Sequence, residues 1–287
     1  MTTIALFGAA GKMGTRIAEK LSGDPEFTTL HVEAGETGMR RLRNRGLEPC
    51  PQERAIREAD VIVLAVPDVV IGRVAGEIVP ALKSGAMLVC LDPAAPYAGE
   101  LPPRQDITYF VTHPCHPPIV NDEKTPEARG DFFGGVAKQH IVCALMQGPE
   151  SDYARGEAIC RRMFAPVMRA HRVTVEQMAI LEPALSETVV LTCMTVIREA
   201  VDEAIARGVP AEAARDFVLG HMNVNLGILF GFLDARVSDG ARMAVERARG
   251  RIFRLDWREV FAPENVFAEV HAITGGIKSG RSAEGVP

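Results

Sequence analysis

Short apolar runs alternate with amphipathic stretches up to about residue 173, and from Thr174 onward the apolar positions fall at helical spacing instead. The first pattern predicts strands joined by crossover helices, and the second predicts helices alone. Seven runs read as strands: TIALFG, TLHVEA, DVIVLAV, AMLVCLD, ITYFVTH, IVCALM and RAHRVT. Hydrophobicity is continuous rather than alternating in VIVLAV, which predicts burial on both faces of a sheet. Thr174 followed by Gln177 predicts a capping box that opens a long helix from Val175 to Arg207, kinked at Pro183. Three further helical segments follow, PAEAARDFVLGHMNVNLGILFGFL, GARMAVERARGRIF and PENVFAEVHAI, ahead of a bland tail, GGIKSGRSAEGVP, that is expected to fray. The expected fold is therefore α/β. A Rossmann-type doubly wound parallel sheet is expected over residues 1–173, and an all-helical domain over 174–287.

Composition narrows the function. A chain of 287 residues with 47% hydrophobic residues can build a sizeable core in two domains. Its formal net charge of −5 leaves no basic excess with which to hold a nucleic-acid backbone or an anionic membrane, so a small molecule is the expected ligand. The six cysteines lie far apart, mostly inside apolar runs and without a CxxC pair, which reads as reduced thiols in a cytoplasmic protein. No basic leader with a cleavage site is read at the start and no apolar stretch approaches the roughly 20 residues of a membrane span, so a soluble, unprocessed protein is expected.

One stretch, LFGAAGKMGTRIA at residues 6–18, places three glycines at a spacing of three between a strand and a helix. Gly8 and Gly11 would permit a tight turn with main-chain N–H groups close to a pyrophosphate, and Gly14 would let the helix lie against the strand. Ala9, Ala10, Lys12 and Met13 complete that turn, whose helix start favours an anion. Glu33 lies 19 residues beyond Gly14, where a carboxylate accepts from both ribose hydroxyls and repels a 2′-phosphate. NAD is therefore expected over NADP, against which stand Arg40, Arg41 and Arg43. Ala65, Val66 and Pro67, in LAVPDVV, leave room for the coenzyme to pass over the strand ends, and Asp68 is expected to cap the next helix.

Candidate chemistry lies further on. FVTHPCHPP delivers His113 and His116 at the end of a strand in a proline-braced turn, and imidazole titrates near neutrality, so either can take a hydroxyl proton while hydride leaves. Glu182, Glu187, His221 and Asn225 form a second polar set. His221 and Asn225 are four apart on one helix face and interrupt an apolar segment, so burial would require partners. Asp92, in CLDPAAP, falls at the nicotinamide end or starts a turn. Cys115 as a covalent nucleophile is disfavoured, because it points away from its neighbouring histidines. A divalent metal is conceivable on these groups, yet no specific ligand motif supports one.

GAAGKMG, AVPD and a helical second half opened by one long helix resemble the 6-phosphogluconate dehydrogenase-like superfamily of NAD(P) oxidoreductases over nearly the whole chain. THPCHPPIVNDE, LEPALSET and GHMNVNLGILFG are similar to the D-apionate oxidoisomerase group within it. That resemblance implies an NAD-dependent oxidation of a branched hydroxy acid with a shift of its carbon skeleton. The β-hydroxyacid dehydrogenases of the superfamily use a lysine, and four residues later an asparagine, on the long helix. The matching positions here are near Pro183 and Glu187, and no lysine occurs between Gln139 and Ile277, so another acid–base must serve. A similar HP turn carries the substrate-side histidine of prephenate dehydrogenases.

The expectation is an NAD-dependent dehydrogenase for a small polyhydroxy acid, working in the cleft between the two domains. His113 or His116 is the base, Glu182 and His221 assist, and Glu187 and Asn225 hold substrate. The apolar VVLTCMTVI surface implies a homodimer. The rivals are a simple 3-hydroxy-acid or prephenate-type dehydrogenase and a non-catalytic NAD(H) sensor.

Overall fold

A computed structural model describes residues 1–275. The tail expected to fray lies, apart from Gly275, outside the described residues. Among the described residues two compact units are formed, one of residues 1–182 with 267–275 and the other Pro183–Val266. The change from strands to helices falls at Thr174, but compactness divides the chain later. Met178 and Ala179 remain fully buried, and Met178 belongs to the core of the first unit.

All seven expected strands form: β1 Thr2–Phe7, β2 Phe27–Val32, β3 Val61–Leu64, β4 Met87–Cys90, β5 Thr108–Pro114, β6 Gln139–Gln147 and β7 Val167–Arg172. They make one sheet in the order β2-β1-β3-β4-β5-β6-β7. Helices α1 (Lys12–Leu21), α2 (Glu36–Asn44), α3 (Gln52–Glu58), α4 (Asp68–Ile78), α5 (Ala94–Tyr97), α6 (Pro126–Arg129) and α7 (Ser151–Met163) connect them. Successive side chains of a strand point to opposite faces, so each strand feeds two cores. Ile4, Leu6, Val61 and Val63 pack with Ile17 and Leu21 of α1 and Ile159 of α7. Ala5, Phe7, Ile62 and Leu64 pack with Ile56 of α3 and Ile71 and Ile78 of α4. Burial on both faces explains why VIVL lacks alternation.

The sheet departs from the all-parallel expectation. β5 and β6 are antiparallel, while β6 and β7 are parallel to each other. The connection 115–138 holds only the four-residue α6, so no crossover helix carries the chain back to the starting edge and it returns alongside β5. This places the whole 115–138 loop beyond the carboxyl end of β5.

Thr174 and Gln177 form the expected capping box, with Gln177 N–H donating to Thr174 Oγ1 at 3.1 Å and Thr174 N–H donating to Gln177 Oε1 at 3.0 Å. The long helix then runs as α8 (Val175–Ala179), a π-helical stretch Ile180–Leu191 and α9 (Thr192–Ala206). Pro183 was expected to kink a uniform α-helix. It lies instead in the π-helical stretch, where the wider turn accommodates a residue without an N–H, and Thr188 Oγ1 donates to the Pro183 carbonyl at 2.8 Å. The span Val175–Ala206 also corrects the reading of apolar stretches. Averaged over 18 residues its mean hydropathy reaches 1.5, enough by length and composition to cross a membrane, although no uninterrupted run is that long.

The second unit contains α9, α10 (Ala211–Leu229) and α11 (Asp239–Ile252), and α12 (Pro263–Thr274) begins at its end. None of α9, α10 and α11 contains a buried residue. Phe217, Leu229 and Phe230 are 67%, 71% and 74% exposed.

Candidate active site

The glycine turn is built as its spacing requires. Gly8 has φ +75°, and a Cβ there would lie 2.3 Å from the Ala65 carbonyl oxygen at the end of β3. A Cβ at Gly14 would stand 2.1 Å from the Gly8 carbonyl oxygen and 2.8 Å from Ala9 Cα, so only glycine lets α1 lie this close to β1. Ala9 is fully buried beneath the turn. Gly11 N–H is occupied by Gly8 O at 3.0 Å, and Ala10 N–H donates to Glu33 Oε1 at 2.5 Å. The donors aimed at an anion are therefore the first-turn amides of α1, which begins at Lys12.

A groove of about 420 Å³ opens beside the turn, at the point where the strand order reverses between β1 and β3. Gly8, Ala10, Gly11, Glu33, Ala65, Val66 and Pro67 line it, as does Arg41. Lys12 is exposed at the helix start. Met13 turns away and lines a separate space of about 20 Å³ with Arg16, Lys20 and Phe133.

Three adjacent strands each deliver an ionisable group at their carboxyl ends: Asp68 just after β3, Asp92 just after β4 and His113 on β5. His113 Nδ1 lies 2.9 Å from the Leu91 carbonyl oxygen and 3.8 Å from Asp92 Oδ2. A carbonyl can only accept, so Nδ1 carries the proton and Nε2 keeps its lone pair. Burial pushes the His113 pKa down. The Leu91 carbonyl pulls it up, His116 pushes it down and Asp68 pulls it up, and the balance lies below the usual histidine value. Asp92 Oδ1 accepts from Ala94 N–H at 2.8 Å, so this residue both starts the turn into α5 and faces the imidazole.

Asp68 was expected to cap the following helix, and it does not. It is the first residue of α4, its N-cap is Pro67, and no side-chain capping bond forms. Burial and the neighbouring Asp92 charge instead push its carboxyl up to about 6, opposed by His113. Local sequence favoured the cap, and only the nonlocal meeting of β3, β4 and β5 shows the alternative.

His116 has φ +59°, uncommon for a residue with a Cβ. Its Nδ1 lies 3.0 Å from the Phe133 carbonyl oxygen, so this imidazole is also protonated at Nδ1. The two rings stand edge to face with centroids 6.3 Å apart. Cys115 between them has its thiol pushed up to about 11 by burial and by Cys143, so little thiolate exists near neutrality.

The second polar set is divided between the two units. Glu182 lies in the π-helical stretch at the end of the first unit, whereas Glu187, His221 and Asn225 belong to the second. His221 and Asn225 are exposed on α10, so the expected cost of burying them does not arise within one chain. His221 donates from Nδ1 to Phe217 O at 2.8 Å and stacks on that ring with centroids 4.0 Å apart. Among the described residues, no group of three or more His, Cys, Asp or Glu side chains is placed to hold a metal ion.

Known proteins resemble this chain over nearly its whole length. Residues 3–93 match the family described as NADP oxidoreductase coenzyme F420-dependent, and residues 121–274 match the C-terminal family of decarboxylating phosphogluconate dehydrogenase. A D-apionate oxidoisomerase of Rhizobium rhizogenes is 55% identical, over 96% of this chain and 100% of its own. A D-apionate oxidoisomerase of Cupriavidus necator is 50% identical, over 94% and 99%. The crystal structure of a semialdehyde dehydrogenase NAD-binding protein from Cupriavidus necator, in complex with calcium and NAD, superposes with a TM-score of 0.93 at 50% identity, over 96% of this chain and 100% of that one. With half or more of its residues shared across essentially the full length of such relatives, the chain belongs to the D-apionate oxidoisomerase family.

Proposed function

We propose that the protein is an NAD-dependent oxidoreductase that oxidises D-apionate, or a close branched polyhydroxy acid, and shifts its carbon skeleton. One observation carries the reading. The coenzyme groove lies at the carboxyl ends of β1 and β3, and two imidazoles, each with Nδ1 on a main-chain carbonyl, lie at the carboxyl end of β5 on the same edge of the sheet, the edge at which open α/β sheets bind ligands. The residues present fit the coenzyme, since the space that a Cβ would fill at Gly8 and Gly14 is left to a turn against which a diphosphate can lie. Glu33 and the first-turn amides of α1 would hold its ribose and phosphates.

When bound, NAD supplies a two-electron acceptor for hydride. The chain's own part begins with His113 or His116, whose Nε2 takes the proton of the substrate hydroxyl as the carbon bearing it is oxidised to a carbonyl. For the skeletal shift, a neighbouring hydroxyl loses its proton and becomes a carbonyl. A substituent then migrates with its electron pair to the adjacent carbonyl carbon, whose oxygen takes up the proton. An imidazole that accepts and returns a proton serves both stages. Asp92 and Asp68 place negative charge near the imidazolium that forms at His113.

The exposed apolar surface of α9 and α10 supports a homodimer, because a soluble monomer rarely leaves so much apolar area in water. A second copy seated on that surface would also cover the apolar span Val175–Ala206. The six cysteines are all free, which fits a reducing cytoplasm.

The test is to incubate the protein with NAD and D-apionate, follow reduced-nicotinamide absorbance, and read the carbon connectivity of the product by 13C NMR. Oxidation with a rearranged skeleton is expected. Oxidation with the original skeleton would leave a simple dehydrogenase, and NAD binding without turnover on any sugar acid would leave a sensor.

A further inference from the structure

We propose that Asp131 is a positioning residue for His116. It folds residues 133–137 into a strap whose Phe133 carbonyl holds the imidazole in its Nδ1–H form, so that Nε2 keeps the lone pair that can take a proton. The inference rests on the assignment of His116 to the reaction.

Both oxygens of Asp131 are used on main-chain donors. Oδ1 accepts from Phe133 N–H at 3.1 Å and Gly134 N–H at 2.9 Å, and Oδ2 accepts from Val136 N–H at 2.9 Å and Ala137 N–H at 3.0 Å. Burial pushes this carboxyl up, and the amides of Val136, Ala137, Gly134 and Phe133 overturn that push and hold it below its ordinary value. Four bonds to one carboxylate close a short loop on itself, which fixes the direction of every carbonyl between them. The Phe133 carbonyl is the one that meets His116 Nδ1, at 3.0 Å, and the Phe133 ring stands edge-on to the imidazole at 6.0 Å.

Two residues of α1 tie the strap from the other side. Lys20 Nζ donates to Gly135 O at 2.6 Å, and the Arg16 guanidinium lies 4.6 Å above the Phe133 ring. The helix that starts at the coenzyme turn therefore also braces the element that orients His116. Gly134 and Gly135 take φ +90° and +125°, and a Cβ at Gly134 would fall 2.6 Å from Gln139 Nε2. A histidine at φ +59° is a conformation that surrounding contacts must hold in place, and the strap supplies them.

The test uses the full chain with NAD and D-apionate, together with 15N NMR of the imidazoles, which distinguishes Nδ1–H from Nε2–H directly. The wild type is expected to show His116 as one tautomer, Nδ1–H. In Asp131→Ala, His116 is expected to become a mixture and kcat to fall at least about 10-fold, with the Kd for NAD within about twofold. Asp131→Asn keeps the shape but turns an NH2 toward two amides. It should show the same effects in milder form and serves if the alanine variant does not fold. A folded variant that keeps the Nδ1–H tautomer and wild-type kcat would overturn the proposal. A changed tautomer with unchanged kcat would uphold the strap and remove His116 from the chemistry instead.

Discussion

Asp92 and His113 meet at the carboxyl ends of neighbouring strands, with the acid's Oδ2 3.8 Å from the imidazole Nδ1. Because Nδ1 already donates to Leu91 O, the carboxylate is held beside the ring and stabilises positive charge there without taking the proton. The arrangement suits a base that must be neutral before reaction and charged after it.

The acid limb of kcat/KM should reflect this balance. Burial lowers the His113 pKa below its ordinary 6.5, so the base stays competent below the usual histidine range. Asp68 raises that pKa, while Leu91 O, His116 and Asp92 are retained in an Asp68→Asn variant. The variant should move the acid limb to lower pH. A kcat/KM profile between pH 4 and 8, at about half-unit steps, reads the displacement.

Asp68→Asn should also change stability with a definite sign. The native carboxyl titrates at about 6, above its ordinary 3.8, so the native state binds the proton more tightly than the unfolded chain. The stability this gives is complete below pH 3.8 and is lost as pH rises through about 6. Replacing the acid should therefore stabilise the protein at pH 8 by about 1 kcal/mol after solvent screening, and by little at pH 4. Urea unfolding at the two pH values measures the difference.

Gly14→Ala forces a Cβ to within 2.1 Å of the Gly8 carbonyl oxygen, which is backbone and cannot rotate away. The helix must shift off the strand. A loss of about 2 kcal/mol in stability and a fall of at least about tenfold in NAD affinity are expected, by chemical denaturation and calorimetry.

Glu33 sets the coenzyme preference in this account. Its carboxylate lies on Ala10 N–H at the edge of a groove that Arg41 also lines. Glu33→Ser removes the charge that repels a 2′-phosphate and leaves the guanidinium. The ratio of kcat/KM for NAD over NADP should drop by about 10-fold or more, the equivalent of about 1.4 kcal/mol.

Elements governed by local rules were legible in the sequence. All seven strands, the glycine turn and the Thr174–Gln177 capping box depend on residues a few positions apart. The reversal of β6 and β7 was not, because apolar runs do not reveal the direction in which a strand pairs. Asp68 and Asp131 illustrate the same limit in the site. The first reads locally as a helix cap and the second as an ordinary loop acid. Their roles appear only when β3, β4 and β5 align and when residues 131–137 close on one carboxylate. His221 and Asn225 interrupt an apolar stretch, and the question of their burial that this context raises is answered only by the fold, which leaves both exposed on α10 in one chain.

The central claim is that an imidazole at the end of β5 takes the substrate proton beside a coenzyme held by the glycine turn. Single-turnover NADH formation on D-apionate, at saturating NAD, tests it in His113→Ala and His116→Ala alongside NAD titrations of each variant. At least one variant should lose about 10²- to 10⁴-fold in rate while binding NAD as tightly as the wild type. Wild-type rates in both would contradict the account.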